Sequence, residues 1–315
     1  MDETIQEINR IESWVDACFK RSDLCDFNTL MKLGIESGNY IRNLAILCTG
    51  SLTKDEFITN KDSFELHDAV IVGHMVRLFK LYDHLLYSVS SDKGEIASIF
   101  SRLLFETYTI MKYLIINGKS SIDSFIKSSF KSTMEDYKYI KEREKERPLL
   151  NIEKRMVRKI ENRINKVNLS IDDLMTNKHW KLDNRSFRQI LDFLNDRDKS
   201  FEWGKAYSFL FGSQSAYIHG TWYDIQINHL EESGTGFLPK YSHDRVDPRY
   251  ILPQSLIPIK ASIDFLNWRK SDPDRFTINV LEKMAKLLLY LNEMDEIRID
   301  KKAAKSNELQ KDVVK

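Results

Sequence analysis

An all-α fold is predicted for this chain on three observations. Glycine and proline are scarce, 11 and 6 in 315 residues, too few to turn the many short strands of a sandwich or barrel. Apolar residues recur at intervals of three and four in one segment after another. Hydrophobic residues make up 42% of the chain and aromatic residues 11%, enough to fill a large core. The expected form is a single multi-helix bundle with an inserted charged helical hairpin and a long irregular loop before the last two helices.

Taken in order, Ile5, Ile8, Ile11, Val15 and Phe19 trace one face of a first helix ending near Ser22. Leu30, Leu33, Tyr40, Ile41, Leu44 and Leu47 trace a second, in which Gly34 and Gly38 allow a kink. A polar stretch from Ser51 to Ser63 precedes a long helix outlined by Val70, Val76, Phe79, Leu81, Leu85 and Leu86. Gly94 opens the next, "GEIASIFSRLLFETYTIMKYLI", which is apolar on nearly every side and is expected to be the most buried helix.

Residues 131–166 change character, with twelve Lys or Arg against seven Asp or Glu for a local net charge of +5. The alternation "KEREKER" reads as an ion-paired, solvated face of a projecting helical hairpin, with Pro148 in the first turn of its second helix. Ser170 and Asp173 in "SIDD" form a capping box, and Phe187, Ile190, Leu191 and Leu194 give another apolar face. Ser200 would cap the helix that follows, whose stripe is Tyr207, Phe211, Ser215 and His219. Proline and glycine then punctuate a loop from Thr221 to Pro253, where the alternation of Tyr223, Ile225 and Ile227 suggests a small hairpin. Two last helices, Ser255 to Trp268 and Phe276 to Leu291, lead into a polar tail. The expected division is 1–64 for N-terminal helices packed on the core, 65–295 for the helical core domain with 131–185 as its charged insertion, and 296–315 for the tail.

Forty-eight basic residues against 47 acidic ones leave no overall sign to steer the molecule toward nucleic acid or anionic membrane, so any basic surface must be local. Three cysteines without a CxxC pair disfavour a disulfide framework or a structural zinc site. The acidic start "MDETIQEINR" lacks the pattern of a secretory signal, and no apolar run approaches eighteen residues, so a cytoplasmic setting away from membranes is expected. "NGKS" at Asn117 to Ser120 lacks the earlier glycine of a phosphate loop, since Tyr113 stands in its place. No zinc-peptidase, di-iron, hydrolase-elbow or dinucleotide motif occurs, and neither cofactor nor metal is expected.

The remaining candidates are polar residues on helices. Arg102 and Glu106 lie four apart in the most apolar segment, either as a structural ion pair or as a pocket wall that binds an anion through Arg102. Ser215 and His219 are also four apart; His219 is either a hydrogen-bonded core histidine or a general acid-base group. Arg77 and His84 form an R-x6-H spacing that sets both on one helical face, within an Arg-x(4 to 6)-His pattern that 18 arginines and seven histidines produce about once by chance. It is similar to the arginine-histidine separation used by metal-independent ribonuclease bundles of the HEPN class.

Three segments, "LFKLYDHLLYSV", "SRLLFETYTIMKYLI" and "AYSFLFGSQSAYIHG", together resemble a bacterial all-helical family catalogued as a domain of unknown function (DUF5677-like), over roughly residues 65 to 225. The resemblance implies that Arg102, Glu106, Ser215 and His219 converge from two helices on one site, and it carries no established activity. The chain departs from the HEPN ribonucleases in having no arginine four to six positions before His219.

The function expected on this reading is a HEPN-like cytoplasmic effector, with bacterial antiphage defence as its setting, acting on RNA or a nucleotide by metal-independent acid-base chemistry. His219 or His84 carries the proton, and Arg102 or Arg77 binds phosphate. A partner protein from the same operon and a homo-oligomer are compatible with it, a membrane is not. The competing expectation is a non-enzymatic helical interaction or oligomerisation module whose buried polar cluster keeps the helices in register.

Overall fold

Helical periodicity becomes helix along most of the chain. The computed structural model describes residues 2–50, 64–177, 180–208, 210, 221–243, 245–272 and 274–313. Among these the fold is all-α apart from one hairpin, Leu230–Ser233 (β1) paired antiparallel with Gly236–Pro239 (β2), with Glu231 opposite Leu238. The chain falls into two compact units, one of residues 1–62, 72–112 and 202–315, the other of 63–71 and 113–201. The expected charged insertion, 131–185, belongs wholly to the second.

In the first unit, α1 (Asp2–Cys18) buries Ile8, Ile11, Val15 and Cys18, while Ile5 and Phe19 at the ends of its stripe stay exposed. Helix α2 (Phe27–Gly50) runs unbroken through Gly34 and Gly38, where the sequence allowed a kink. The glycines serve close approach instead. A Cβ on Gly38 would sit 2.3 Å from a methyl of Leu86 and 3.0 Å from the Tyr82 hydroxyl on α3 (Leu66–Ser90). Gly38→Ala is therefore expected to cost about 1–3 kcal/mol by overpacking, read as a lower denaturation midpoint.

The buried face of α3 is Ile71, Met75, Leu78, Tyr82, Leu85 and Val89, a strict alternation of four and three. Val76, Phe79 and Leu81, expected on that face, are only half-buried. Both sets keep helical spacing and equal apolarity, so periodicity alone leaves the phase of the helix open. The Tyr82 hydroxyl inside the core donates to Ser255 Oγ (2.7 Å), which donates in turn to the Ile251 carbonyl (2.7 Å), so both hydroxyls are satisfied.

Helix α4 (Gly94–Asn117) buries Ala97, Leu104, Phe105, Tyr108, Met111 and Leu114. Its buried hydroxyls at Ser98, Ser101 and Thr109 return to the carbonyls of Gly94, Ala97 and Phe105, the usual way such residues are tolerated inside a helix. After it the first unit resumes with α10 (Trp203–Tyr207), whose N-cap position is Glu202, with no side-chain capping bond, rather than Ser200, whose own N–H goes to the Asp198 carboxylate. Helix α11 (Trp222–Asp224) continues as a π-turn over Ile225–His229, so the alternation there is helical and the hairpin comes later, at β1 and β2. Helix α12 (Leu256–Arg269) and α13 (Phe276–Val313) complete the unit. The helix thus runs on through residues expected as a polar tail. Asp295, fully buried on it, is held by Arg298 Nε at 2.7 Å.

The second unit holds α5 (Lys119–Ser129), α6 (Lys131–Glu146), α7 (Asn151–Lys166), α8 (Ile171–Met175), a 3₁₀ turn at Leu182–Asn184 and α9 (Phe187–Arg197). The hairpin of α6 and α7 encloses its own core of Met134, Tyr137, Ile140, Val157, Ile160 and Ile164. Ser170 caps α8, accepting the Asp173 N–H at 3.0 Å as the sequence predicts, and Ser186 with Gln189 boxes the start of α9.

Pro148 lies in the connector before α7 rather than in its first turn, because Glu153 fixes the start at Asn151. Its carboxylate accepts the Leu150 N–H (2.8 Å) and both nitrogens of the Arg147 fork (2.7 and 2.8 Å). The Arg147 guanidinium, with the Leu150 N–H second, holds the Glu153 carboxyl down to about 2, against an ordinary 4.5. A depressed carboxyl contributes stability that is complete above 4.5 and is lost as the pH falls toward 2. Glu153→Gln is expected to flatten the acid limb of the pH–stability curve between those values and to leave its neutral-to-alkaline limb parallel to wild type.

Candidate functional site: a cationic groove on α3

Since 71, 75, 78, 82, 85 and 89 point inward, positions 77, 80 and 84 fall on the outer face of α3, and all three are exposed. Arg77, Lys80 and His84, with Gly73, Val76 and Leu81, line a shallow groove of 350 Å³. Arg77 and His84 stand two turns apart, about 10.5 Å along the axis at 1.5 Å per residue. Arg77 Nε donates to Thr107 Oγ1 on α4 (3.2 Å), and that hydroxyl donates to the Leu103 carbonyl (2.7 Å), which anchors the guanidinium stem. The His84 ring stacks on Phe100, centroids 5.3 Å apart and planes at 17°. Among the described residues no carboxylate lines the groove, and neighbouring Asp83 turns to Arg42 at 3.0 Å. The groove therefore offers cationic donors beside a ring whose orientation is set by stacking.

Arg102 and Glu106 meet within α4, Arg102 Nε donating to Glu106 Oε1 at 3.0 Å, with the arginine side chain 12% exposed and the glutamate 34%. Ser215 and His219 lie outside the described residues. Of the six sequence candidates, then, Arg77 shares a groove with His84 and Arg102 shares an ion pair with Glu106.

The second unit contains a cleft that sequence reasoning missed. It has a volume of 580 Å³, and His67, Asp123, Lys127, Asn168, Lys181 and Asn184 are among its lining residues. His67 Nε2–H donates to Asp123 Oδ1 at 2.7 Å, a carboxylate-imidazole pair that orients the ring. Fifty-six residues separate the two, and neither belongs to a motif, so no sequence signal could have found them.

Asp183 staples the turn that carries Lys181 and Asn184. It adopts a left-handed conformation (φ 48°), its N–H goes to Ser124 Oγ (2.8 Å), and its Oδ2 accepts from Tyr113 (2.8 Å) and Ser121 (2.5 Å). Burial alone would raise its carboxyl, yet the hydroxyls of Ser121, Tyr113 and Ser124 outweigh it and the net shift is downward. Burial first, then Asp183, pushes the Tyr113 phenol up to about 12. The staple is thus a fixed anion with neutral donors.

Burial pushes the Cys18 thiol up to about 11 and the Cys48 thiol to about 12, which removes both as nucleophiles near neutral pH. Among the described residues no group of three or more His, Cys, Asp or Glu is placed to hold a metal ion, and no helix is long and apolar enough to cross a membrane.

The sequence model of a Family of unknown function (DUF5677) matches residues 68–237, more than half of the chain. The chain belongs to this family. The DUF5677 match takes in the α3 groove, the Arg102–Glu106 pair and every helix from α4 to α11. No curated protein matches the chain, and neither does any solved structure.

Proposed function

We propose that this DUF5677 protein cleaves RNA without a metal ion, in the manner of a HEPN-like effector, and that the α3 groove is where it does so. The observation that supports this best is the common groove of Arg77, Lys80 and His84, free of carboxylates among the described residues that line it. In this reading the ribose 2′-oxygen attacks the adjacent phosphorus as His84 takes its proton. Arg77 and Lys80 neutralise charge growing on the non-bridging oxygens. The P–O5′ bond breaks, the 5′-oxygen is protonated from the imidazolium or water, and a 2′,3′-cyclic phosphate and a 5′-hydroxyl result.

The setting that goes with this activity is cytoplasmic antiphage defence, with a protein partner from the same operon or a second copy of the chain as regulator. The test is incubation of the purified protein with RNA in chelator. Cleavage that disappears in His84→Ala and Arg77→Ala while both variants melt as wild type supports the proposal; absence of cleavage, or its persistence in both variants, overturns it.

A second reading, a non-enzymatic interaction or oligomerisation module, is favoured by the Arg102–Glu106 ion pair, which lies within one helix with the arginine largely buried, as a structural pair does.

A further inference from the structure

The charge run of the α6–α7 hairpin has an asymmetry that its sequence conceals. Helix α7 carries two acids, and both are turned away from its outer face. Glu153 is taken up by Arg147 and Leu150, and Glu161 accepts from the Tyr137 hydroxyl at 3.2 Å. What remains on the outer face is Arg155, Arg158, Lys159, Asn162, Arg163 and Lys166, which line one groove of 400 Å³. None of the five cations is paired with a carboxylate among the described residues. At spacings of three and four they repel one another along the helix, so the arrangement opposes helix stability rather than serving it. The mixed-sign, ion-paired face of "KEREKER" lies on α6, where Lys141 pairs with Glu144 at 2.9 Å, and does not extend to the outer face of α7.

We propose that the outer face of α7 is a docking strip for the sugar–phosphate backbone of a nucleic-acid duplex. From Arg155 to Lys166 the strip is about 16.5 Å long at 1.5 Å per residue, a straight rod of cations able to follow phosphates along a groove edge. Helix α7 has no aromatic residue on which an unpaired base would stack, so the strip reads backbone and not sequence. An anionic membrane is the less fitting occupant. Insertion needs an apolar face, and that of α7, Val157, Ile160 and Ile164, is already buried in the core of the hairpin, although Ile152 and Met156 are exposed toward its N-terminal end. That the natural duplex is RNA rests on the function proposed above; the binding itself does not.

The test is binding of the full chain to a 2′-O-methyl RNA duplex, which has no free 2′-hydroxyl to react, across a salt series. Five phosphate contacts give a log–log salt slope of about −4.5, or roughly 500-fold weaker binding at 200 mM than at 50 mM salt. Removing three of them in Arg155→Gln/Arg158→Gln/Arg163→Gln brings the slope to about −1.8, a loss of only about 12-fold over the same range. The matching triple lysine variant keeps the wild-type slope, which separates lost charge from damaged helix. An unchanged slope in the glutamine variant overturns the strip. So does binding to phosphatidylserine vesicles in place of the duplex. If the strip holds and the wild type leaves ordinary RNA intact, the cleavage reading alone fails.

Discussion

His84→Ala is expected to slow RNA cleavage by about 10²- to 10⁴-fold, the range typical of losing a positioned general acid-base group. Melting should be nearly unchanged, because the imidazole is exposed and its stacking on Phe100 is a surface contact. Initial rates with a fluorescent oligonucleotide, beside a thermal melt of the same preparation, check both halves. Arg77→Lys is the informative companion. It keeps a positive charge but loses the planar fork and the Nε donor to Thr107, so it should recover part of the rate that Arg77→Ala loses. A histidine variant that loses the activity and the fold together would instead make His84 a structural residue.

The largest stability effect is expected at Trp203, the largest fully buried side chain. Its indole stacks on Tyr108 at 5.2 Å and tilts against Phe105 at 6.3 Å, so α10 is tied to α4 through one side chain. Trp203→Ala should cost about 3–5 kcal/mol, as removal of a buried aromatic does when its cavity cannot collapse. Trp203→Phe, which leaves a smaller void, should cost distinctly less. Urea unfolding of the two variants measures the difference, and equal values near zero would show that this contact contributes nothing to the core.

The helices were legible in the sequence where one stripe repeats without competition, as in α1 and α9. For α3 the apolar positions support two phases, and only the fit of Tyr82 and Leu86 against the bare backbone at Gly38 selects one. Gly34 and Gly38 read as weak points because composition shows what a glycine lacks and not what comes close to it. The continuation of α13 past Leu291 was hidden by its charge, which looks like a tail until Asp295 is seen buried against Arg298.

For the candidate site, the R-x6-H spacing placed Arg77 and His84 on one face correctly, since two turns of helix decide that by themselves. Lys80 completes the groove from the position between them. The pair of His67 and Asp123 was invisible, being brought together only by the folding of the second unit. The basic charge of 131–166 was legible as a net +5, but its gathering on one face of α7 was not, because a sequence cannot show that Glu153 and Glu161 face elsewhere.

The most direct test of the central claim is a DNA strand carrying a single ribonucleotide, offered to the wild-type chain in chelator, with the product ends identified by mass spectrometry. The groove chemistry predicts one break, immediately 3′ of the ribose, leaving a 2′,3′-cyclic phosphate on one fragment and a 5′-hydroxyl on the other. An intact strand, or breaks at deoxy positions, would contradict it.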